Sequence, residues 1–281
     1  MNISDIPTIT LNDGASMPAI GLGTYKLSDD DARRIVRAGI AAGYRHIDTA
    51  SFYGNEEAVG DGIRDAIVAG DVTREELFVA TKAWNNEQGA AETPAAFEAS
   101  LKRLGLDYLD LYLVHWPYPR QNKFVEAFTA MAKLRDDGRT RSIGVCNFYE
   151  EVLDTLISET GIAPAINQVE AHIGFPQTSL REYAGDRGVV TEAWAPIARG
   201  ALLDDPVVTR IANSHDATPT QVCLAYLLQQ GYSVIPKTAT EHRLAENLGA
   251  VSVELSTADI AALGELHTGR MSGDPHTFPA D

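Results

Sequence analysis

Residues Leu109-Asp110-Leu111-Tyr112-Leu113-Val114-His115 form an apolar run that ends on an imidazole. Two other runs behave alike. Tyr44-Arg45-His46-Ile47-Asp48 ends on a carboxylate, and Leu77-Phe78-Val79-Ala80-Thr81-Lys82 ends on an ammonium. Short runs of this kind read as strands buried on both faces, the pattern of a parallel sheet. In a parallel β/α barrel the catalytic groups come from the C-terminal ends of several strands. Asp48, Lys82 and His115 occupy such ends, and Tyr53 lies five residues past Asp48, in the loop that follows.

Working outward, eight apolar runs punctuate the chain, at 19–23, 44–48, 77–82, 109–115, 142–146, 165–169, 189–194 and 233–236. Each of the intervals between them holds a helical candidate. Residues 29–42 place Ala32, Ile35, Val36 and Ile40 on one face and stop at Gly43; 92–104 and 124–134 are amphipathic in the same way. Thr218-Pro219-Thr220-Gln221 is a capping box with proline at the first helical position, opening 221–229. Helices at 241–248 and 257–266 follow the last run. Near the start, Thr8-Ile9-Thr10-Leu11 before Asn12-Asp13-Gly14 predicts a β-hairpin over 7–18. The expectation is an α/β chain forming a (β/α)8 TIM barrel over 1–281 as one domain, with an N-terminal hairpin and extra C-terminal helices. An open doubly wound sheet competes, but it wants a Gly-rich fingerprint after its first strand, and Gly21-Leu22-Gly23-Thr24 is too short.

The 281 residues suit a barrel of about 250 residues. The net charge of −16 argues against nucleic acid as a partner, because phosphate binding needs concentrated Lys and Arg. No apolar run approaches the ~20 residues of a membrane span, and Met1-Asn2-Ile3-Ser4-Asp5 lacks the pattern of a signal peptide. Cys146 and Cys223 give no disulfide framework and fit a reducing compartment. A cytoplasmic monomer with a small-molecule substrate and no membrane partner is the expectation.

Singly, each polar residue has an ordinary reading: Asp48 as a turn former, Tyr53 as packing, Lys82 as a solvated charge, His115 as a core histidine. Together, on neighbouring strand ends of one face, they make a proton-transfer site. An ammonium beside the phenol favours phenolate, a carboxylate holds the ammonium, and the imidazole orients a substrate oxygen. Such a site gives a proton to a carbonyl oxygen or takes one from an alcohol. The side chains supply no reductant, which points to a nicotinamide cofactor. Scattered histidines and the lack of His-Glu-x-x-His or Cys-x-x-Cys offer no metal site. Two rivals stay open: a Schiff-base lyase using Lys82, and a cofactor-binding sensor or regulatory barrel with little turnover.

The cofactor would bind at the last strand, where barrels hold phosphate in the loops after strands seven and eight. There Ile235-Pro236-Lys237-Thr238-Ala239 is followed by Arg243 and Glu246-Asn247. Lys237 and Arg243 aimed at one phosphate favour NADP(H), Thr238 can donate to it, and Glu246-Asn247 can bond an adenine. Asn147 and Gln168 end strands five and six, placed to hold a nicotinamide carboxamide, and Trp194 can stack on its ring. Trp84 and Trp116 predict an aromatic wall for the substrate, with His115.

These motifs resemble those of the aldo-keto reductases. Gly43-Tyr44-Arg45-His46-Ile47-Asp48-Thr49-Ala50 with Tyr53, Glu56 and Gly60 is similar to the first family signature, Ile143-Gly144-Val145-Cys146-Asn147-Phe148 to the second, and Ile235-Pro236-Lys237-Thr238 with Arg243 and Glu246-Asn247 to the third. Lys82 and His115-Trp116-Pro117 match the remaining catalytic positions. The resemblance implies NADPH/NADP+ and Tyr53 as proton donor, supported by Lys82, Asp48 and His115. It also implies that Gly23-Thr24-Tyr25 borders the cofactor and that Ala195, Pro196, Ile197, Gly200 and Leu202 belong to a loop over the pyrophosphate. The C-terminal stretch, about 267–281, is implied to be a substrate loop. With Glu192-Ala193-Trp194, its shortness looks most like the bacterial 2,5-diketo-D-gluconate reductase branch. Cys146 stands where serine is common, and Thr240 where that branch often has a second arginine.

Overall fold

The structure, a computed structural model, describes residues 6–278. The leader reading of residues 1–5 and the last three residues of the C-terminal stretch lie outside the described residues. The hairpin is present: β1 (Thr8–Thr10) pairs antiparallel with β2 (Ser16–Pro18), with Ile9 opposite Met17. Its turn is closed by Gly14 N–H to the Leu11 carbonyl at 3.0 Å and by Ala15 N–H to Asp13 Oδ1 at 3.0 Å.

Eight parallel strands follow: β3 (Leu22–Gly23), β4 (His46–Asp48), β5 (Phe78–Ala83), β6 (Leu109–Val114), β7 (Thr140–Cys146), β8 (Ile166–Glu170), β9 (Val190–Trp194) and β10 (Ser233–Val234). They pair in chain order. A parallel bridge between Ile20 and Val234 joins the first to the last, with Gly21 N–H donating to the Val234 carbonyl at 2.8 Å and Gly23 N–H to that of Pro236 at 3.2 Å. Helices α1 (Asp29–Ala42), α2 (Glu56–Val68), α3 (Glu92–Leu104), α4 (Phe124–Asp136), α5 (Glu150–Thr160) and α6 (Thr178–Gly185) fill successive crossovers. Two more, α7 (Pro206–Ser214) and α8 (Pro219–Gln229), share the interval before β10; α9 (His242–Leu248) and α10 (Thr257–Gly264) come after it. The fold is the expected (β/α)8 barrel.

Element ends follow local chemistry. Ser28 caps α1 by accepting from Asp31 N–H at 3.2 Å, and Gly43 ends it at φ 117°, a left-handed conformation that favours glycine. Tyr44 N–H then bonds back to the Gly39 carbonyl at 3.0 Å, so β4 starts two residues later than the apolar run. The Thr218 capping box is made as read, Thr218 Oγ accepting from Gln221 N–H at 3.2 Å. β10 stops at Val234, short of Pro236, which has no N–H to donate.

Strand residues alternate between two cores. Val79, Tyr112, Val114 and Ile143 face the helices, packed with Ile35, Phe97, Phe128 and Leu153. Ala80, Leu111, Leu113 and Ile166 fill the barrel, and Leu11 and Met17 of the hairpin region join this inner cluster. Fully burying one such Leu or Ile contributes roughly 1.5–3 kcal/mol. The inner core reaches upward to the C-terminal strand ends, where it meets polar groups. Among the described residues no helix is long and apolar enough to cross a membrane.

Candidate active site

Asp48 ends β4 and Lys82 lies near the end of β5, both inside the barrel wall and almost wholly buried. Lys82 Nζ lies 2.7 Å from each Asp48 carboxylate oxygen and 2.8 Å from the Thr49 carbonyl. It reaches the Tyr53 hydroxyl at 3.5 Å. Tyr53 is held by a short 3-10 turn, Ser51–Tyr53, that directly follows β4. His115, one residue past β6, sets its ring edge against Tyr53, centroids 5.7 Å apart. The four residues therefore converge, as the strand-end reading expects.

Burial disfavours the Lys82 ammonium, but the Asp48 carboxylate, then Tyr53, outweigh it and lift its pKa above the ordinary lysine value. The amine is charged, buried and bonded to three oxygens, so it is not a free nucleophile, and the Schiff-base reading loses its basis. For Tyr53 the expected balance is corrected. Lys82 does pull the phenol pKa down, yet burial, the larger effect, pushes it above its ordinary value. Tyr53 keeps part of its surface exposed, which limits that desolvation. The hydroxyl is protonated at neutral pH, the form a proton donor needs. Burial, then the Lys82 charge, hold His115 well below the usual histidine range, so its ring is neutral. Burial likewise keeps the Cys146 thiol protonated.

The amides stand beside this group. Asn147, one residue past β7, has φ 64°; its Nδ2 donates to the His115 carbonyl at 3.0 Å, and its Oδ1 accepts from Trp194 Nε1 at 3.0 Å. Gln168, on β8, donates through Nε2 to Asp48 Oδ2 at 2.9 Å and to Glu192 Oε2 at 2.7 Å. Thr24 Oγ donates to the Asp48 carbonyl at 3.0 Å, and the Tyr25 ring lies 5.0 Å from that of Tyr53. Gly23 runs so close to the opposite seam that a Cβ would stand 3.1 Å from the Ile235 carbonyl. After β9 the loop through Ala195, Pro196, Ile197, Gly200 and Leu202 is tightly wound, with left-handed φ at Ala195, Ala198, Arg199 and Gly200.

At the last strand Lys237, Ala239 and Arg243 are exposed, while Ile235, Pro236 and Thr238 are buried. Thr238 Oγ accepts from Thr240 N–H at 3.0 Å. Glu246 sits in the second half of α9. Its carboxylate accepts from Thr218 Oγ at 2.8 Å, which ties α9 to the α8 cap. Asn247 is buried beside the Tyr44 hydroxyl.

Around the mouth, Trp84 stacks on Phe52 at 3.8 Å and meets the His115 edge at 4.9 Å. Trp116 is buried and packs on Phe278, centroids 4.3 Å apart. Glu170, buried at the end of β8, accepts from Met271 N–H at 2.7 Å and so anchors the C-terminal stretch. The sequence reading gives no site role to Phe52, Glu170 or Glu192. A signal was present for both glutamates: Glu192 is a charge inside an apolar run with no solvent face, and Glu170 directly follows another such run. Phe52 carries no such signal beyond adjacency to Tyr53.

The aldo/keto reductase family pattern matches residues 19–268. The chain is 52% identical over 273 residues to an aldo-keto reductase of Mycolicibacterium smegmatis, covering 97% of this chain and 98% of that one. It superposes on a variant of Gox0644 in complex with NADPH at 40% identity and a TM-score of 0.92, covering 97% and 98% of the two chains. An aldo-keto reductase of Bombyx mori in complex with NADP matches at 38% identity and a TM-score of 0.87, over 92% of each. With most of its length matched by the family pattern and by relatives of this similarity, the chain belongs to the aldo/keto reductase family.

Proposed function

We propose that the protein reduces aldehydes, ketones or dicarbonyls to alcohols with NADPH, Tyr53 being the general acid. The observation that carries this reading is Lys82, fully buried, 2.7 Å from both Asp48 oxygens and 3.5 Å from the Tyr53 hydroxyl. The residues fit the cofactor. Asn147, Gln168 and Trp194 bring two amides and an indole to one side of the tetrad, Gly23 leaves its close approach clear, and Lys237 and Arg243 offer exposed cations for a 2′-phosphate. Two of the related structures hold NADPH or NADP.

When bound, NADPH supplies the hydride that adds to the carbonyl carbon. Tyr53 gives its proton to the carbonyl oxygen, and the charge left on the phenolate is stabilised by the adjoining ammonium. Asp48 keeps that ammonium charged and in place. His115, neutral, orients the substrate oxygen, and Trp84, Phe52 and Trp116 wall the mouth. Asn147, Gln168 and Trp194 hold the nicotinamide; Thr24, Tyr25 and the Ala195–Leu202 loop border the rest.

Within the family, the Glu192-Ala193-Trp194 segment supports placement with the 2,5-diketo-D-gluconate reductase branch. We further take the chain to work as a monomeric barrel over its whole length, in a reducing cytoplasm that suits two free, buried cysteines. The test is loss of NADPH absorbance across a panel of aldehydes, ketones, dicarbonyls and keto acids. Turnover of several carbonyls, absent with NADPH alone, is expected; no turnover on any of them would overturn the reading.

A further inference from the structure

Glu192 lies on β9 two residues before Trp194, on the inward face, and is fully buried. Its Oε2 accepts from Gln168 Nε2 at 2.7 Å and its Oε1 accepts from Ser233 Oγ at 2.9 Å. His46 Nδ1 stands 3.7 Å from Oε1. Gln168 gives its other amide hydrogen to Asp48 Oδ2 at 2.9 Å. A primary amide carries two hydrogens and no more, so both are committed to carboxylates.

That commitment decides which end of the amide is on offer. A free glutamine turns its terminal torsion at little cost and presents oxygen or nitrogen alike. Here the reversed orientation would press the amide oxygen against two carboxylates and take one donor from each, inside a core where unpaired polar groups are costly. The oxygen is therefore the acceptor end: it takes the weak Cys146 S–H at 3.9 Å and keeps its second lone pair for the candidate nicotinamide site. An acceptor there matches the NH2 of a carboxamide. With Asp48 as its only anchor the amide would keep one hydrogen bond and regain the freedom to tilt.

We propose that Glu192 is a positioning residue: by taking the second amide hydrogen of Gln168 it fixes the amide oxygen as the acceptor for the nicotinamide carboxamide, and through the same amide it joins the cofactor floor to the Lys82–Asp48 pair. The inference rests on the reductase reading above. It assigns a role to a carboxylate that lies behind Gln168.

The experiment uses the full chain with Glu192→Leu, Glu192→Gln, Gln168→Ala and the Glu192→Leu/Gln168→Ala double variant. NADPH affinity is read by quenching of tryptophan fluorescence, kcat and KM with 4-nitrobenzaldehyde, and the Gln168 side-chain amide by nitrogen-15 NMR of the cofactor-free protein. Glu192→Leu is expected to weaken NADPH at least tenfold while the aldehyde KM moves less than threefold. Glu192→Gln should stay within threefold, because its amide oxygen accepts from Gln168 and its nitrogen donates to Ser233. On the Gln168→Ala background, Glu192→Leu should cost less than a further twofold. The Gln168 amide protons should exchange slowly in the wild type and in Glu192→Gln, and fast in Glu192→Leu. Unchanged NADPH affinity in the leucine variant, additive losses in the double variant, or an unaltered Gln168 amide signal would each overturn the proposal. Glu192→Ser takes the place of the leucine variant if that one does not fold. A wild type that bound no NADPH would remove the reductase reading instead, and the amide signal would still judge Glu192.

Discussion

The Lys82 ammonium stands 3.5 Å from the Tyr53 hydroxyl and has no solvent contact of its own. A charge in that position is felt by the phenol, by Asp48 and also by His115, because little water is present to screen it. Lysine thus acts here as a fixed field on the groups around it.

Tyr53→Phe removes the hydroxyl and leaves the ring that meets Tyr25 and His115. General acid catalysis contributes ~10²–10⁴-fold, so kcat for aldehyde reduction should drop by that much while NADPH affinity stays within a few-fold. Steady-state kinetics beside fluorescence titration check both halves. A loss below tenfold would assign the proton to another donor.

Lys82→Met leaves Asp48 buried with the Gln168 amide but without its cation. Breaking a buried pair from one side costs about 3–5 kcal/mol. Turnover should vanish, and urea unfolding should show a stability loss of that order. A variant of normal stability would mean that the pair contributes little to folding.

Arg243→Ala acts on an exposed guanidinium with no role in the tetrad. A charge-assisted hydrogen bond contributes roughly 1.5–3 kcal/mol, which is ~10–150-fold in affinity. NADPH should weaken by such a factor and NADH hardly at all. Equal losses would move Arg243 to the adenosine or pyrophosphate shared by both dinucleotides.

His115 gives the protein a pH signature. Its folded-state pKa is depressed, first by burial and then by Lys82, while the unfolded chain takes up the proton near ~6.5. Above that value both states are neutral and nothing is lost. As pH falls below it the unfolded state binds more protons, and stability falls until the folded-state value is reached. Between pH 6.5 and 5.5 the loss from this residue alone should be about 1 kcal/mol. Urea midpoints of wild type and His115→Asn across this range should converge by that amount; parallel curves would show that the imidazole titrates normally.

Gly60→Ala should destabilise although alanine is the better helix former. A Cβ at Gly60 of α2 would overlap the Leu104 carbonyl at the end of α3. Overpacking of this kind costs typically 1–3 kcal/mol, against about 1 kcal/mol gained in helix propensity. Thermal melting decides the sign, and a rise in Tm would mean that the two helices separate easily.

What the sequence disclosed and what it hid divide along physical lines. Strand ends were legible because a parallel strand buried on both faces cannot easily carry a charge, so Asp48, Lys82 and His115 stood out where the apolar runs stopped. The α1 stop at Gly43 and the Thr218 cap were legible because each is a local event. Glu192 sits in the middle of β9, and only its registration against Gln168 across the sheet gives it meaning. The bond from Thr218 of another helix to the Glu246 carboxylate was not legible, because spacing after Arg243 says nothing about which way α9 faces. The rise of the Tyr53 pKa was hidden for a similar reason: the lysine is visible in the chain, whereas the burial that outweighs it belongs to the assembled site.

The closure of the barrel carries a thermodynamic consequence. β3 and β10 are the shortest strands of the ring, two residues each, and Pro236 contributes no donor to their junction. The segments proposed to border the cofactor, Gly23–Tyr25 and Ile235–Ala239, leave the ring from the two sides of this same junction. A dinucleotide gripping both would act as a clasp between the N-terminal and C-terminal parts of the chain. Part of its affinity would then reappear as mechanical integrity of the ring, amounting to about 2.7 kcal/mol of added stability at a hundredfold excess over Kd. Cellular supply of the reduced dinucleotide would in that way set the lifetime of the folded protein as well as its rate of turnover.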